Sequence, residues 1–278
     1  TTVDRWRGFD ADTVRALGSH RSLTEVHVCS HDGNLSSAGI RLLPGIETLR
    51  TIDFSVSILD VDDARALATS RIAELTLQSS CANVGAAVVE ALSRSKTLTH
   101  VALPLYTGVR HFGNLTTLEH LDLMLGTAGR RMPPLRLDAQ DALALRSLPR
   151  LRHLGIRDAQ FDAGALNEAL RGGCTSLSLA NLAFDDATCQ ALLANPALTD
   201  LVLDDVQIPG ADAVALAGHP ALARLSINFS YRFGHIPQDT YRRAMVTAWI
   251  AAGHPIEGLG GGYDTDFLYS SADSADFV

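Results

Sequence analysis

The chain has 278 residues, of which 46% are hydrophobic and 19% charged, and its formal net charge is −8. This composition excludes a disordered chain, and the lack of any basic block argues against a surface specialised for nucleic acid or anionic membranes. No apolar run approaches the ~18 residues of a transmembrane helix, and the start, TTVDRWRGFDADTV, has no apolar core of a signal peptide, so we expect neither feature.

The N-terminal residues predict a short capping segment. Residues 1–20 contain one helix-like stretch with the apolar side chains of Trp6, Phe9 and Leu17. An array of stacked repeats needs a polar-faced cover at each end, because its terminal units would otherwise expose core residues. We therefore predict that residues 1–20 form an N-terminal cap on the repeats that follow.

Residues 21–230 consist of repeats of the pattern L-x-x-L-x-L. The intervals between copies run from 20 to 33 residues, and most are between 23 and 26. The first positions of the copies are Leu23, Leu49, Ile72, Leu98, Leu118, Leu151, Cys174, Leu198 and Leu222. Most copies are followed by an Ala-rich stretch with apolar residues at helical spacing, such as DDARALATS or GADAVALAGH. The pattern predicts strand–turn–helix units that bury a continuous core only by stacking on their neighbours.

Polar residues and glycine mark the expected ends of the helices. An acidic residue at the N-cap or in the first turn satisfies backbone amides and complements the positive end of the helix dipole. The residues expected in that role are Asp60, Asp162, Asp185 and Asp186. Gly218, and Asn195 followed by Pro196, stand where helices are expected to end.

The periodicity ends at residue 230. Residues 231–259 predict a last helix with Met245, Trp249 and Ile250 directed inward, and we interpret this segment as a C-terminal cap. Residues 260–278 begin with three glycines and continue as an acidic, serine-rich segment, which we expect to be a flexible tail.

The repeats resemble a known family. The phrases ALA, AVALAG and DARALA, followed six residues later by L-x-x-L-x-L, look like the GALA-type leucine-rich repeats of type III effectors from plant-pathogenic bacteria, over about residues 12–230. They are also similar to the cysteine-containing repeats of F-box adaptors. The resemblance implies an α/β fold, a right-handed leucine-rich-repeat solenoid or horseshoe of about nine strand–helix repeats, with a parallel concave sheet and convex helices.

Alternation along the predicted strands assigns side chains to the concave face. One column of this face contains His100, His120 and His153, and because neighbouring strands are about 4.8 Å apart, the three imidazoles should form a ladder. This requires the insert between the strands of His120 and His153 to loop out of the sheet. The residues predicted to bind a partner protein are Glu74, His100, His120, Asp122, His153, Arg157, Arg130 and Arg131.

The longest interval between two predicted strands carries basic residues. The insert over residues 126–137 contains Arg130, Arg131 and Arg136, and Arg157 follows in the next strand. Loops on a rigid scaffold often carry function, and an acidic partner surface would complement this cluster. The alternative is a neutral insertion.

The histidine ladder permits three interpretations. The first is a solvated polar surface, and under this interpretation we predict no metal and no cofactor. The second is a protein contact that depends on pH, because histidine changes its charge near neutral pH. The third is a metal site, since neutral imidazole is a common zinc ligand; it predicts that zinc is retained by the wild type and lost in His120→Ala.

The sequence contains no nucleophile elbow, P-loop, G-x-G-x-x-G, H-E-x-x-H or paired-cysteine motif, so we predict that the chain is not an enzyme. Its cysteines are scattered, which predicts reduced thiols in a reducing compartment rather than a disulfide framework. These cysteines are Cys29, Cys81, Cys174 and Cys189.

The resemblance to GALA-type effectors implies a virulence function in a host–pathogen interaction. A type III system would deliver the protein into the host cytoplasm, where it would bind a host protein through the concave face. The alternative is the substrate-recognition part of a ubiquitin-ligase adaptor, or of an enzyme whose catalytic domain lies outside this chain. The chain has 22 arginines and a single lysine, Lys96, which fits either a GC-rich genome or escape from ubiquitination.

Overall fold

The computed structural model describes residues 2–4, 10–28, 36–54, 59–77, 84–105, 107–124, 135–162, 164–182, 184–206, 208–228, 238–255 and 259–260. The chain divides into two compact units, Thr1–Leu177 and Ser178–Val278. The cap residues Trp6 and Phe9, and nearly all of the 260–278 tail, lie outside the described residues. The predicted domain boundaries at residues 20, 230 and 259 stay predictions.

Parallel strands form the sheet of the first unit. The strands of this unit are β1 (Thr2–Asp4), β2 (Glu25–Val28), β3 (Thr51–Phe54), β4 (Glu74–Leu77), β5 (His100–Pro104), β6 (His120–Met124), β7 (Leu135–Leu137), β8 (His153–Arg157) and β9 (Ala159–Phe161). Strands β1 to β6 and then β8 lie side by side, and each neighbouring pair is parallel. Strands β7 and β9 form a separate parallel pair. The connection between β6 and β8 therefore leaves the main sheet. The predicted ladder of histidines requires this, because it needs β6 and β8 to be neighbours.

Helices occupy the connections between these strands. They are α1 (Ala11–Gly18), α2 (Ser37–Ile40), α3 (Val61–Thr69), α4 (Ala86–Leu92), α5 (Ala139–Arg146) and α6 (Ala165–Leu170), with short 3-10 helices at Leu43–Gly45 and Val109–Asn114. The second 3-10 helix joins β5 to β6, where the repeat is shortest at 20 residues. A 3-10 helix rises further per residue than an α-helix, so it spans this connection with fewer residues.

The apolar positions of the repeats form the core of the first unit. In β3, Ile52 and Phe54 are buried, whereas Thr51 and Asp53 are half-exposed. This is the period-2 alternation of a strand with one buried and one solvated face. The same alternation recurs in β2 and β6. We call the solvated side of the strands the polar face.

A buried aspartate joins the start of α3 to the preceding repeat. Asp60 caps the helix, and Asp63 completes a capping box with it. The Asp63 carboxylate is fully buried and accepts hydrogen bonds from the Ser37 hydroxyl and the Arg41 Nε, both at 2.8 Å. Arg41 also donates to Asp60 at 2.8 Å. One arginine therefore ties two carboxylates of the next repeat to its own.

The same arrangement recurs at the start of α5. Asp138 caps this helix in a capping box with the buried Asp141. The backbone amide of Arg110 donates to Asp141 at 2.9 Å, and its guanidinium donates to Asp138 at 3.0 Å. Both buried aspartates lie three residues after the N-cap, the position from which a side chain reaches back to the N-cap amide.

The second unit is built in the same way. Strand β10 (Ser176–Ala180) contains the boundary between the units, and it is followed by α7 (Asp186–Leu193), β11 (Asp200–Asp204), α8 (Gly210–Ala217), β12 (Arg224–Asn228), α9 (Gln238–Ala251) and β13 (Leu259–Gly260). Strands β11, β12 and β13 are parallel neighbours in that order. The unit therefore repeats the alternation of strand and helix seen in the first.

Helix α9 confirms two of the three residues that the sequence directs inward. Met245 and Trp249 are buried, and the Trp249 Nε1 donates to the Pro255 carbonyl at 2.8 Å. The prediction for Ile250 is wrong, because its side chain is 51% exposed. Consecutive residues of a helix point about 100° apart, so a helix that buries Trp249 turns the next side chain towards solvent.

The predicted helix ends are correct at most positions. Asp60 and Asp185 are N-caps, Asp186 lies in the first turn of α7, and Gly218 follows the last turn of α8. The prediction for Asp162 is wrong. Helix α6 begins after a glycine in the left-handed conformation, and Asp162 accepts hydrogen bonds from Arg136 instead.

These elements confirm the predicted fold class, an α/β leucine-rich-repeat solenoid whose parallel strands alternate with helices. The segment predicted as the N-terminal cap contains a strand, β1, as well as α1, because Thr2–Asp4 pairs with β2. Within the described parts of the chain, every helix is too short or too polar to cross a bilayer.

The thiols of the two buried cysteines should react slowly in the folded protein. Burial raises the pKa of Cys174 to about 11 and that of Cys189 to about 12. Because the thiolate is the reactive form, we expect alkylation by iodoacetamide at pH 8 to be at least about 100-fold slower at both residues than in denaturant. Peptide mass mapping checks this, and rapid native labelling of either residue would contradict it. Cys29 and Cys81 lie outside the described residues.

Candidate functional site

Three histidines lie next to one another on the polar face of the first unit. His100 in β5, His120 in β6 and His153 in β8 are register partners in neighbouring strands. The His120 and His153 rings stack with centroids 3.9 Å apart and planes at 15°, and the His100 and His120 centroids are 5.4 Å apart at 22°. The ladder predicted from the sequence is therefore present. The role of these residues in binding a partner stays a prediction.

Hydroxyl groups hold the outer two rings. The Thr99 hydroxyl lies 2.9 Å from the His100 Nδ1, and the Ser176 hydroxyl lies 2.8 Å from the His153 Nδ1. Both rings are part-buried against the sheet. His100 is therefore held by the residue that precedes it in the chain, and His153 by a residue of the neighbouring strand β10.

Asp122 connects two of the histidines. It lies two residues after His120, so both side chains stand on the same face of β6. Its Oδ2 is 2.8 Å from the His120 Nε2, and its Oδ1 is 3.3 Å from the His153 Nε2. Burial alone would raise the pKa of the Asp122 carboxyl, but hydrogen bonds and charge attraction from the two imidazoles hold this pKa well below its ordinary value. The cluster therefore keeps a carboxylate anion between two rings.

Gly155 makes room for that carboxylate. It is the register partner of Asp122 in β8, and a Cβ at this position would stand 1.8 Å from the Asp122 Oδ1. Any side chain at residue 155 would therefore displace the carboxylate from between the histidines. The sequence carried one signal for this residue, since it is the only glycine at a polar-face position of the predicted strands.

Two predicted site residues lie beside the histidine ladder. Glu74 in β4 is the register partner of His100, and its carboxylate accepts a hydrogen bond from the Thr51 hydroxyl at 3.2 Å. Arg157 ends β8 and is exposed. The structure therefore places both residues in strands of the sheet that carries the cluster.

The predicted basic insert is described only in part. Residues 135–137 form β7, and Arg136 pairs with Asp162 at 2.8 Å, so its charge is compensated within the chain. Arg130 and Arg131 lie outside the described residues, and their predicted role stays a prediction.

A fourth histidine of the polar face has a different environment. His27 in β2 has its Nε2 3.8 Å from a Glu25 oxygen and its Nδ1 3.6 Å from an Asp53 oxygen. The two carboxylates face different nitrogens of one ring, so these groups do not converge on a point. His27 is therefore a natural comparison for the cluster around Asp122.

Ser176, His153 and Asp122 have the residue types of a nucleophilic triad. Catalysis by a serine also needs backbone or side-chain donors directed at the developing oxyanion. The Ser176 amide donates to the Arg152 carbonyl at 2.9 Å and the His153 amide to the Glu119 carbonyl at 3.0 Å, so both amides are used by the sheet.

Comparison with known proteins adds no family assignment. No family model matches the chain, and no curated protein matches it. Among solved structures, the tropomodulin C-terminal domain from Caenorhabditis elegans is similar at 12% sequence identity and a TM-score of 0.29, over 77% of this chain and 99% of that chain. Likeness at this level carries no argument about function.

Proposed function

We propose that this chain is a protein-interaction module that binds a partner protein through the polar face of the first unit. The observation that carries the proposal is the cluster of His100, His120, Asp122 and His153. These side chains stand on rigid neighbouring strands and are ordered by hydrogen bonds before any partner arrives. Preordered groups lose little conformational entropy on binding, which favours affinity.

The resemblance of the repeats to GALA-type effectors supports a narrower proposal. The protein would be delivered by a bacterial type III system into the reducing cytoplasm of a host cell, as a virulence factor whose partner is a host protein. The second candidate is the substrate-recognition part of a ubiquitin-ligase adaptor, or of an enzyme whose catalytic domain lies outside this chain. The observation behind this second candidate is the similarity of the repeats to those of F-box adaptors.

Affinity capture from plant-cell lysate tests the proposal. Wild type is compared with a His100→Ala/His120→Ala/His153→Ala variant, and His27→Ala is the matched control because it removes an imidazole from the same face outside the cluster. We expect wild type and His27→Ala to enrich the same protein. We expect the triple variant to bind that protein at least about 30-fold more weakly, since interface hot spots contribute about 2 kcal/mol or more.

The identity of the captured protein separates the two candidates. Ubiquitin-ligase subunits would favour the adaptor, and another host protein would favour a direct effector target. Equal affinity of the triple variant and wild type would contradict binding through this face. No enrichment by any of the three proteins would contradict an interaction module in this chain.

A further inference from the structure

Three side chains of the cluster bring metal-binding atoms close together. One nitrogen from each of His120 and His153 and one oxygen from Asp122 all lie within 4.8 Å of one another. The closest pairs are the His120 Nε2 and Asp122 Oδ2 at 2.8 Å, and the His153 Nε2 and Asp122 Oδ1 at 3.3 Å. These three residues come from two adjacent strands, which hold their backbones in fixed register.

We propose that His120, Asp122 and His153 bind one divalent transition-metal ion of the Zn²⁺ class. Imidazole nitrogen and carboxylate oxygen are typical ligands of this class, at about 2.0–2.2 Å from the ion. In a tetrahedral site such ligands stand about 3.3 Å apart, a separation that the two closest pairs here already approach. Two nitrogen ligands out of three disfavour Ca²⁺ and Mg²⁺, which prefer oxygen. The proposal goes beyond partner binding, because it needs no second protein.

Binding requires the two stacked rings, whose planes are 15° apart, to tilt towards one another so that both reach one ion. Each Nε2 must turn its lone pair to the ion, so the proton of a neutral ring resides on Nδ1 instead. For His153 this proton has an acceptor in place, because the Ser176 hydroxyl lies 2.8 Å from Nδ1. A hydrogen bond to the other ring nitrogen is the usual support of a metal-bound histidine. The His120 and His153 side chains are 35% and 20% exposed, so an ion can reach them from solvent.

Gly155 keeps the third ligand available. Its missing Cβ leaves the Asp122 Oδ1 uncovered between the strands, where a Cβ would stand 1.8 Å away. The carboxylate can therefore turn from the two N–H groups to an ion without a steric conflict in β8. With three protein ligands, a tetrahedral ion keeps one position open to water or to a side chain of a partner.

The test is a zinc titration of the full chain, prepared without a histidine tag and treated with a chelator. Isothermal calorimetry with Zn²⁺ is run on wild type, His120→Ala, His153→Ala and Asp122→Asn, with His27→Ala as the matched control. Circular dichroism confirms that each variant is folded, which we expect because the substituted side chains are part-exposed. Titration with Mg²⁺ tests the class of ion.

We expect wild type and His27→Ala to bind one Zn²⁺ per chain with equal, micromolar or tighter affinity, and to bind Mg²⁺ far more weakly. Each of the three cluster variants should lose at least about 10-fold in Zn²⁺ affinity. Absence of Zn²⁺ binding by the folded wild type would overturn the proposal. So would the same affinity and stoichiometry in His120→Ala as in wild type, which would place the ion elsewhere. Failure of partner capture would not affect this result, because the titration contains no partner.

Discussion

Phe54→Ala is expected to lower the free energy of unfolding of the first unit by about 3–5 kcal/mol. The Phe54 side chain is fully buried in β3, and its register partners are Val28 in β2 and Leu77 in β4, which are buried as well. Truncation to alanine therefore removes a large apolar side chain and leaves a cavity between two neighbouring repeats. Backbone hydrogen bonds to both adjacent strands limit how far the site can collapse into that cavity.

Urea denaturation followed by far-ultraviolet circular dichroism measures this loss. Phe54→Leu is the matched control, because it keeps most of the buried volume, and we expect it to cost less than about 1.5 kcal/mol. A repeat array transmits such a loss through its nearest neighbours, so hydrogen exchange in β2 and β4 should accelerate as well. Equal stability of Phe54→Ala and Phe54→Leu would contradict the assigned packing.

Asp63→Ala is expected to destabilise the first unit by about 2–3 kcal/mol. The variant removes the buried carboxylate that accepts hydrogen bonds from Ser37 and Arg41 of the preceding repeat. It also breaks the capping box with Asp60 at the start of α3. Ser37 and the Arg41 Nε then lose an acceptor in a part-buried site, which adds to the cost of the lost cap.

The adjacent residue is the control for this prediction. Asp62 is also an acid in the first turn of α3, but its side chain is 62% exposed and forms an ion pair with the exposed Arg65. We expect Asp62→Ala to change stability by less than about 1 kcal/mol, since exposed ion pairs contribute little. Denaturation of both variants under the same conditions measures the difference. Similar losses in the two would show that helix-dipole charge, rather than the link between repeats, is the main effect.

Much of the histidine ladder could be predicted from the sequence. The repeat period places one residue of each strand beside its equivalent in the next, and strand alternation places both on the same face. These two rules brought His100, His120 and His153 together although they are separated by 20 and 33 residues. The rules concern backbone register, which is set by many apolar residues at once and is therefore robust.

The chemistry of the cluster could not be predicted in the same way. The contact between Asp122 and His153 joins residues 31 apart and depends on two side-chain rotamers. There is space for that contact because Gly155 has no side chain. Similarly, Asp62 and Asp63 are adjacent acids in one helix. The position of each residue around the helix axis decides that the Asp63 carboxylate is buried and the Asp62 carboxylate is exposed.

The sequence alone determined the fold class, the polar face and the histidine column, because each follows from a period repeated along the chain. Tertiary structure decided which charged groups meet. It placed one carboxylate between two imidazoles, paired Arg136 with Asp162, and turned Ile250 to solvent. The physical reason is that the two kinds of feature depend on different numbers of residues. The burial pattern of a repeat is set by many residues together, whereas a hydrogen bond or an ion pair depends on a few tenths of an ångström between two side chains.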